Sequence, residues 1–143
     1  MYEKLRESVL RSPIVMRKGY PYFVNPVADG VPPADPELID EVTDAMINVG
    51  NFDCDLIAAP ETMGIPLAVE ISRKLGIPYV AIRKKNYGLP GEVSIIQHTG
   101  YSESVKYINY VFKGDRVAIV DDVLSTGGTI AAMVRAMRER IGC

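Results

Sequence analysis

The residues best equipped for chemistry lie in one run, Val117 to Thr129, with the sequence VAIVDDVLSTGGT. Asp121 and Asp122 are adjacent carboxylates that can accept hydrogen bonds from the hydroxyls of a sugar. Ser125-Thr126-Gly127-Gly128-Thr129 follows, bringing hydroxyls and two glycines that let the backbone approach a ligand closely. At the start of a helix such a loop offers unpaired N–H groups to an anion, with Ser and Thr as caps. Phosphate at one end and a diol at the other outline a ribose 5-phosphate.

The flanking residues say what must position this loop. Val117 to Val120 is a short continuous apolar run, suited to a strand buried on both faces. Ile130, Val134, Met137 and Ile141 recur at roughly helical spacing behind it. Further upstream, residues 3–10 read as a short helix, and residues 12–36 are dense in Pro, Gly and aromatics. A short strand or hairpin at 20–25 and a loop through Pro36 are predicted there. Asp35-Pro36-Glu37 reads as a helix start, with an apolar stripe from Leu38 to Val49. Leu56–Ala59 reads as a buried strand, residues 60–64 as a loop and Pro66–Leu75 as an amphipathic helix closed by Gly76.

Pro78–Ile82 is the next predicted strand, with Arg83-Lys84-Lys85 at its end and a turn-rich loop at 86–92. Val93–His98 and Lys106–Phe112 read as two further strands, joined by a hydrophilic link that predicts a mobile hairpin. The alternation of Val105, Tyr107, Asn109 and Val111 predicts one solvated face. The order strand-helix-strand, hairpin, strand-helix implies an α/β fold, a mostly parallel sheet flanked by helices. Ligands then sit beyond the carboxyl ends of the strands, where loops 60–64, 83–92 and 121–129 converge.

Bulk properties narrow the classes. At 143 residues and 48% hydrophobic content the chain reads as one domain with an ample core. A net charge of −2 gives no electrostatic case for nucleic acid. There is no apolar run of membrane-spanning length, and MYEKLRESVL is too charged for a signal peptide. Cys54 and Cys143 have no partners at zinc-ligand spacing, and His98 is the single histidine. A cytoplasmic setting follows as the default. Neither G-x-G-x-x-G nor G-x-x-x-x-G-K-[ST] occurs, so dinucleotide and Walker-type sites lack their fingerprints.

VAIVDDVLSTGGT resembles the signature by which type I phosphoribosyltransferases bind 5-phosphoribosyl 1-diphosphate (PRPP). RKKNYGLPGEV resembles a stretch of adenine phosphoribosyltransferases, and GYPYFVNPVADG with TGYS is similar to archaeal hypoxanthine/guanine phosphoribosyltransferases. The resemblance implies one phosphoribosyltransferase domain over 1–143, with a small N-terminal hood at 1–34 and an α/β core at 35–143. It implies transfer of phosphoribose to hypoxanthine or guanine, with adenine transfer or a non-catalytic PRPP-binding regulator as alternatives.

By the same resemblance, Asp121 and Asp122 are catalytic, hold the ribose hydroxyls and reach Mg²⁺ through water. Ser125, Thr126, Gly127, Gly128 and Thr129 take the 5-phosphate, and Glu61, Thr62, Arg83 and Lys84 take the diphosphate. Phe23, Val24, Val123 and Leu124 line the base, while Tyr101 and Ser102 belong to a flexible loop over the site. A homodimer is implied as well. The family continues past this helix with another core strand, whereas the sequence ends at Cys143, so a sheet without that C-terminal strand is expected.

Overall fold

A computed structural model describes residues 2–99 and 102–143. Its backbone separates into two compact units, residues 1–51 and 52–143.

The N-terminal unit is held by polar caps. Helix α1 (Glu3–Arg11) presents its first-turn N–H groups to Glu41 of α3 (Pro36–Val49): Leu5 N–H donates to the carboxylate at 2.8 Å and Lys4 N–H at 3.2 Å. A carboxylate there satisfies orphan donors and complements the helix dipole. Asp35 caps α3 as predicted, accepting from Glu37 N–H at 3.0 Å. Between these helices, β1 (Ile14–Arg17) and β2 (Tyr20–Phe23) pair antiparallel. The hairpin thus takes its first strand from residues before Tyr20, because Lys18 and Gly19 turn the chain with φ of 50° and 80°. A single turn, α2 (Pro26–Asp29), follows, capped by the buried side chain of Asn25.

The C-terminal unit contains the parallel sheet. Strand β3 (Leu56–Pro60) lies between β4 (Tyr79–Ile82) and β7 (Val117–Ile119), parallel to both. Its run LIAAP buries Ile57, Ala58 and Ala59 completely, as a strand covered on both faces requires. Ala58 faces a cluster with Ile82, Ile95, Ile108 and Met133. Helix α4 (Gly64–Leu75) packs on β3 through Leu67, Ala68 and Ile71. It begins two residues earlier than its spacing predicts and ends at Gly76, φ 70°. At the amino edge, Arg116 ties β7 to the start of β3, donating to Asp53 at 2.6 Å and Asp55 at 2.9 Å.

Strands β5 (Val93–Thr99) and β6 (Ser102–Ile108) form an antiparallel hairpin. β6 joins the end of β4 through a bridge between Arg83 and Tyr107, with N–H to oxygen distances of 2.7 and 3.3 Å. The predicted strand Lys106–Phe112 is therefore corrected. Pairing ends at Ile108, and Tyr110 is left-handed with φ 56°, which breaks the alternation. Ile108 and Val111 are both buried, a spacing of three that does not fit a strand with one solvated face. Helix α5 (Gly128–Ala136) continues into a π-helical turn at Met137–Ile141, so the predicted helix widens before it stops.

Gly64 is where α4 meets the strand ends. A Cβ there would stand 2.9 Å from the Val120 carbonyl oxygen and 3.2 Å from Asp121 Oδ1. Because the nearer atom is backbone, it cannot swing aside. Gly64→Ala is expected to destabilise the protein by about 1–3 kcal/mol in urea unfolding. A change under about 0.5 kcal/mol, the ordinary scatter of surface substitutions, would contradict this packing.

Candidate active site

The sheet's parallel register brings three loops to one edge. After β7, Val120 N–H still donates to Ala58 oxygen at 2.9 Å, and the chain then leaves the sheet. Asp121 and Asp122 come next, both half-buried, and Asp121 Oδ1 accepts from Asp122 N–H at 2.9 Å. That bond fixes the first carboxylate at the strand end. Gly127 takes φ 80° at the N-cap of α5, a conformation glycine adopts without steric cost. Thr126 Oγ1 accepts from Gly128 N–H at 3.4 Å. A small cleft runs along Asp121 and Val123–Ile130, so the hydroxyls and the helix N-terminus line one hollow. Such a hollow suits a phosphate.

After β3, Glu61 links the second loop to the third. Its carboxylate accepts from Arg83 Nε at 2.6 Å and from Lys84 N–H at 2.8 Å. Partial burial disfavours the charged form, but the Lys84 N–H and the Arg83 guanidinium outweigh it and hold the carboxyl below its usual range. Arg83 is correspondingly raised, chiefly by its hydrogen bond to Glu61. The Glu61–Thr62 peptide is cis. Beyond Lys84, Glu92 folds the loop back by accepting from Tyr87 N–H, Gly88 N–H and Asn109 Nδ2 at 3.0, 3.2 and 2.9 Å.

The described residues of the C-terminal unit thus bring Asp121, Asp122, residues 125–129, Glu61, Thr62, Arg83 and Lys84 to the carboxyl edge of one sheet. Val123 and Leu124 stand on the same loop, 51% and 73% exposed. Phe23 and Val24 belong to the N-terminal unit, at the end of the β1–β2 hairpin. Tyr101 lies outside the described residues, and Ser102 opens β6.

Sequence reasoning passed over Lys106. It is half-buried on β6, and burial pushes its ammonium pKa down, with Lys84 adding to the effect; Asp121 and Glu61 pull the other way. All three loops are therefore within its electrostatic reach. No local motif marks it: a lysine in an alternating strand reads as a solvated residue. Glu92 was visible only as part of a turn-rich loop, since its acceptor role depends on how the loop folds.

A model of the phosphoribosyl transferase domain matches residues 35–142. The chain belongs to the phosphoribosyltransferase family. A hypoxanthine/guanine phosphoribosyltransferase of Methanohalophilus mahii is 51% identical over 140 residues, covering 98% of this chain and 74% of that protein. An HGPRTase-like protein 2 of Haloterrigena turkmenica is 54% identical over 137 residues, 96% of this chain and 76% of that one. Among solved structures, the adenine phosphoribosyltransferase of Thermoanaerobacter pseudethanolicus superposes with a TM-score of 0.75 at 29% identity, covering 96% of this chain and 81% of that one. The phosphoribosyltransferase fold of this chain is the type I α/β arrangement expected from its sequence.

The Glu61 link has a pH signature in this phosphoribosyltransferase. A carboxyl with a lowered folded-state pKa stabilises above its unfolded value and loses that contribution as pH falls through the folded one. The stability gap between wild type and Glu61→Gln is expected at pH 7 and should close as the pH drops below 4.5, the group's ordinary value. A gap of constant size across that range contradicts the assignment.

Proposed function

We propose that this phosphoribosyltransferase is a purine salvage enzyme. It would transfer the 5-phosphoribosyl group of PRPP to hypoxanthine or guanine, giving IMP or GMP and diphosphate. The observation that carries the reading is the convergence, at one sheet edge, of an acid pair, a phosphate cradle and a basic strand end. PRPP has three parts that match these features in kind: a ribose diol, a 5-phosphate and a diphosphate. The choice of hypoxanthine or guanine is supported by the identity of about half to relatives of that name.

On this reading a purine ring nitrogen attacks C1 of the ribose while the C1–O bond to diphosphate breaks. The positive charge that develops on the ribose is met by Asp121 and Asp122, which also hold its hydroxyls. Residues 125–129 bind the 5-phosphate and so fix C1 in the line of attack. Thr62, Arg83 and Lys84 receive the diphosphate, with Glu61 orienting the guanidinium. Val123 and Leu124 would contact the base, and the β5–β6 hairpin would exclude water. Catalysis then comes from positioning and charge stabilisation.

The acid pair also fits Mg²⁺. Among the described residues no cluster of three or more His, Cys, Asp or Glu forms a protein cage. Mg²⁺ needs none: it keeps water and binds through one or two carboxylates plus substrate phosphates. Asp121 and Asp122 would hold it through water, and it would supply charge neutralisation of the diphosphate. A cytoplasmic homodimer is part of the proposal. Ile14 and Met16 share one exposed face of the β1–β2 hairpin, an apolar surface that a second copy would cover. Among the described residues no helix is long and apolar enough to cross a membrane.

The test is a base panel with PRPP and Mg²⁺: hypoxanthine, guanine, adenine, xanthine, uracil and orotate. Nucleotide formation with hypoxanthine or guanine is expected. Turnover of adenine alone would favour the alternative suggested by the adenine phosphoribosyltransferase neighbours. PRPP binding without diphosphate release from any base would indicate a regulator.

Two variants test the ribose-phosphate half. Asp122→Asn should lower kcat/KM for PRPP by roughly tenfold or more with the fold intact, as expected for losing a charged hydrogen-bond acceptor. Unchanged kinetics would remove the ribose assignment. Thr129→Ala should raise KM for PRPP, and an effect confined to the purine would contradict the cradle.

A further inference from the structure

Lys106, half-buried on β6, has no role among the groups placed at the site above. The antiparallel bridge sets Tyr107 opposite Arg83, just past the carboxyl end of β4. β6 runs downward against β4, so one step back along β6 sets Lys106 level with Lys84, above the sheet edge. Directly opposed residues of an antiparallel pair share a face, and alternate residues of a strand do too. Lys106 opposes Ile95 and alternates with Ile108, both buried in the cluster with Met133 and Ala136 of α5. Its stem therefore lies on the face that α5 covers, and α5 carries the Ser125–Thr129 loop at its N-terminus.

The charges of the site leave a place for a cation there. Arg83 is held by Glu61 through Nε, so part of its guanidinium is committed within the protein. The edge also carries Asp121 and Asp122. Even with Mg²⁺ bound, a diphosphate beside Asp121 and Asp122 brings more negative charge than Lys84 and the partly committed Arg83 can match. We infer that Lys106, set level with Lys84 on the α5 face of β6, binds the diphosphate of PRPP and follows it as the leaving group. This rests on the PRPP reading above. The lowered pKa of Lys106 accords with it, since a half-buried ammonium near Lys84 gains most when a polyanion arrives.

The test measures binding rather than turnover. Calorimetric titrations use inorganic diphosphate with Mg²⁺ in one arm and IMP in the other. Lys106→Met should weaken diphosphate roughly tenfold or more and leave IMP within about twofold, because IMP lacks the diphosphate. Lys106→Arg should restore most of the diphosphate affinity. Should Lys106→Met fail to fold, judged by circular dichroism, Lys106→Gln carries the same comparison with a polar side chain of similar reach. Equal losses for diphosphate and IMP would overturn the inference in favour of a structural role, and so would unchanged diphosphate affinity. A wild-type chain that binds neither ligand would instead overturn the PRPP reading itself. Binding of both by wild type, with Lys106→Met indistinguishable from it, would overturn the Lys106 assignment alone.

Discussion

Parallel hydrogen bonding of β3 to both its neighbours is the constraint on which the rest depends. Because β4 and β7 run in the same direction as β3, all three strands deliver their following residues to one edge. Nothing else in the C-terminal unit would bring Glu61, Arg83 and Asp121 together, since they are far apart in sequence. The strand can occupy that central place because it is short, apolar and small: two alanines let layers approach from both faces. Gly64 extends the same economy to the loops, since only a residue without Cβ lets α4 start against the Val120 carbonyl.

Electrostatics then differentiates the edge. Near β7 it is acidic, with Asp121 and Asp122 beside a helix N-terminus. Near β4 it is basic, and Glu61 stands between, engaging both an Arg83 side chain and the Lys84 backbone. A ligand with its own alternation of phosphate, diol and diphosphate matches that order. On the proposed reading, the site is built to hold a polyanion extended along the edge, and Lys106 supplies charge from above through the hairpin.

Much of this was legible in the sequence because it is local. The cap and proline of Asp35-Pro36, the apolar run at β3 and the strand-acid-glycine order at 117–129 each declare themselves within a few residues. What was not legible depends on pairing. β6 reads as 106–112 from its alternation, yet ends at Ile108 because Tyr110 turns left-handed. That shift of phase hid the face on which Lys106 lies. The hairpin register at Lys18-Gly19, the π-helical end of α5 and the acceptor role of Glu92 are likewise products of tertiary fit. The residues proposed to contact the base are hardest to read, since Val123 and Leu124 are ordinary apolar side chains in any other setting.

The central claim is that three strand-end loops form one site for one ligand. The most direct measurement is an amide NMR titration of the isotope-labelled protein with PRPP and Mg²⁺. The amides of Thr62, Lys84 and Ser125–Thr129 should shift together, with a single dissociation constant. A response confined to residues 125–129, or loops that titrate with different constants, would contradict it.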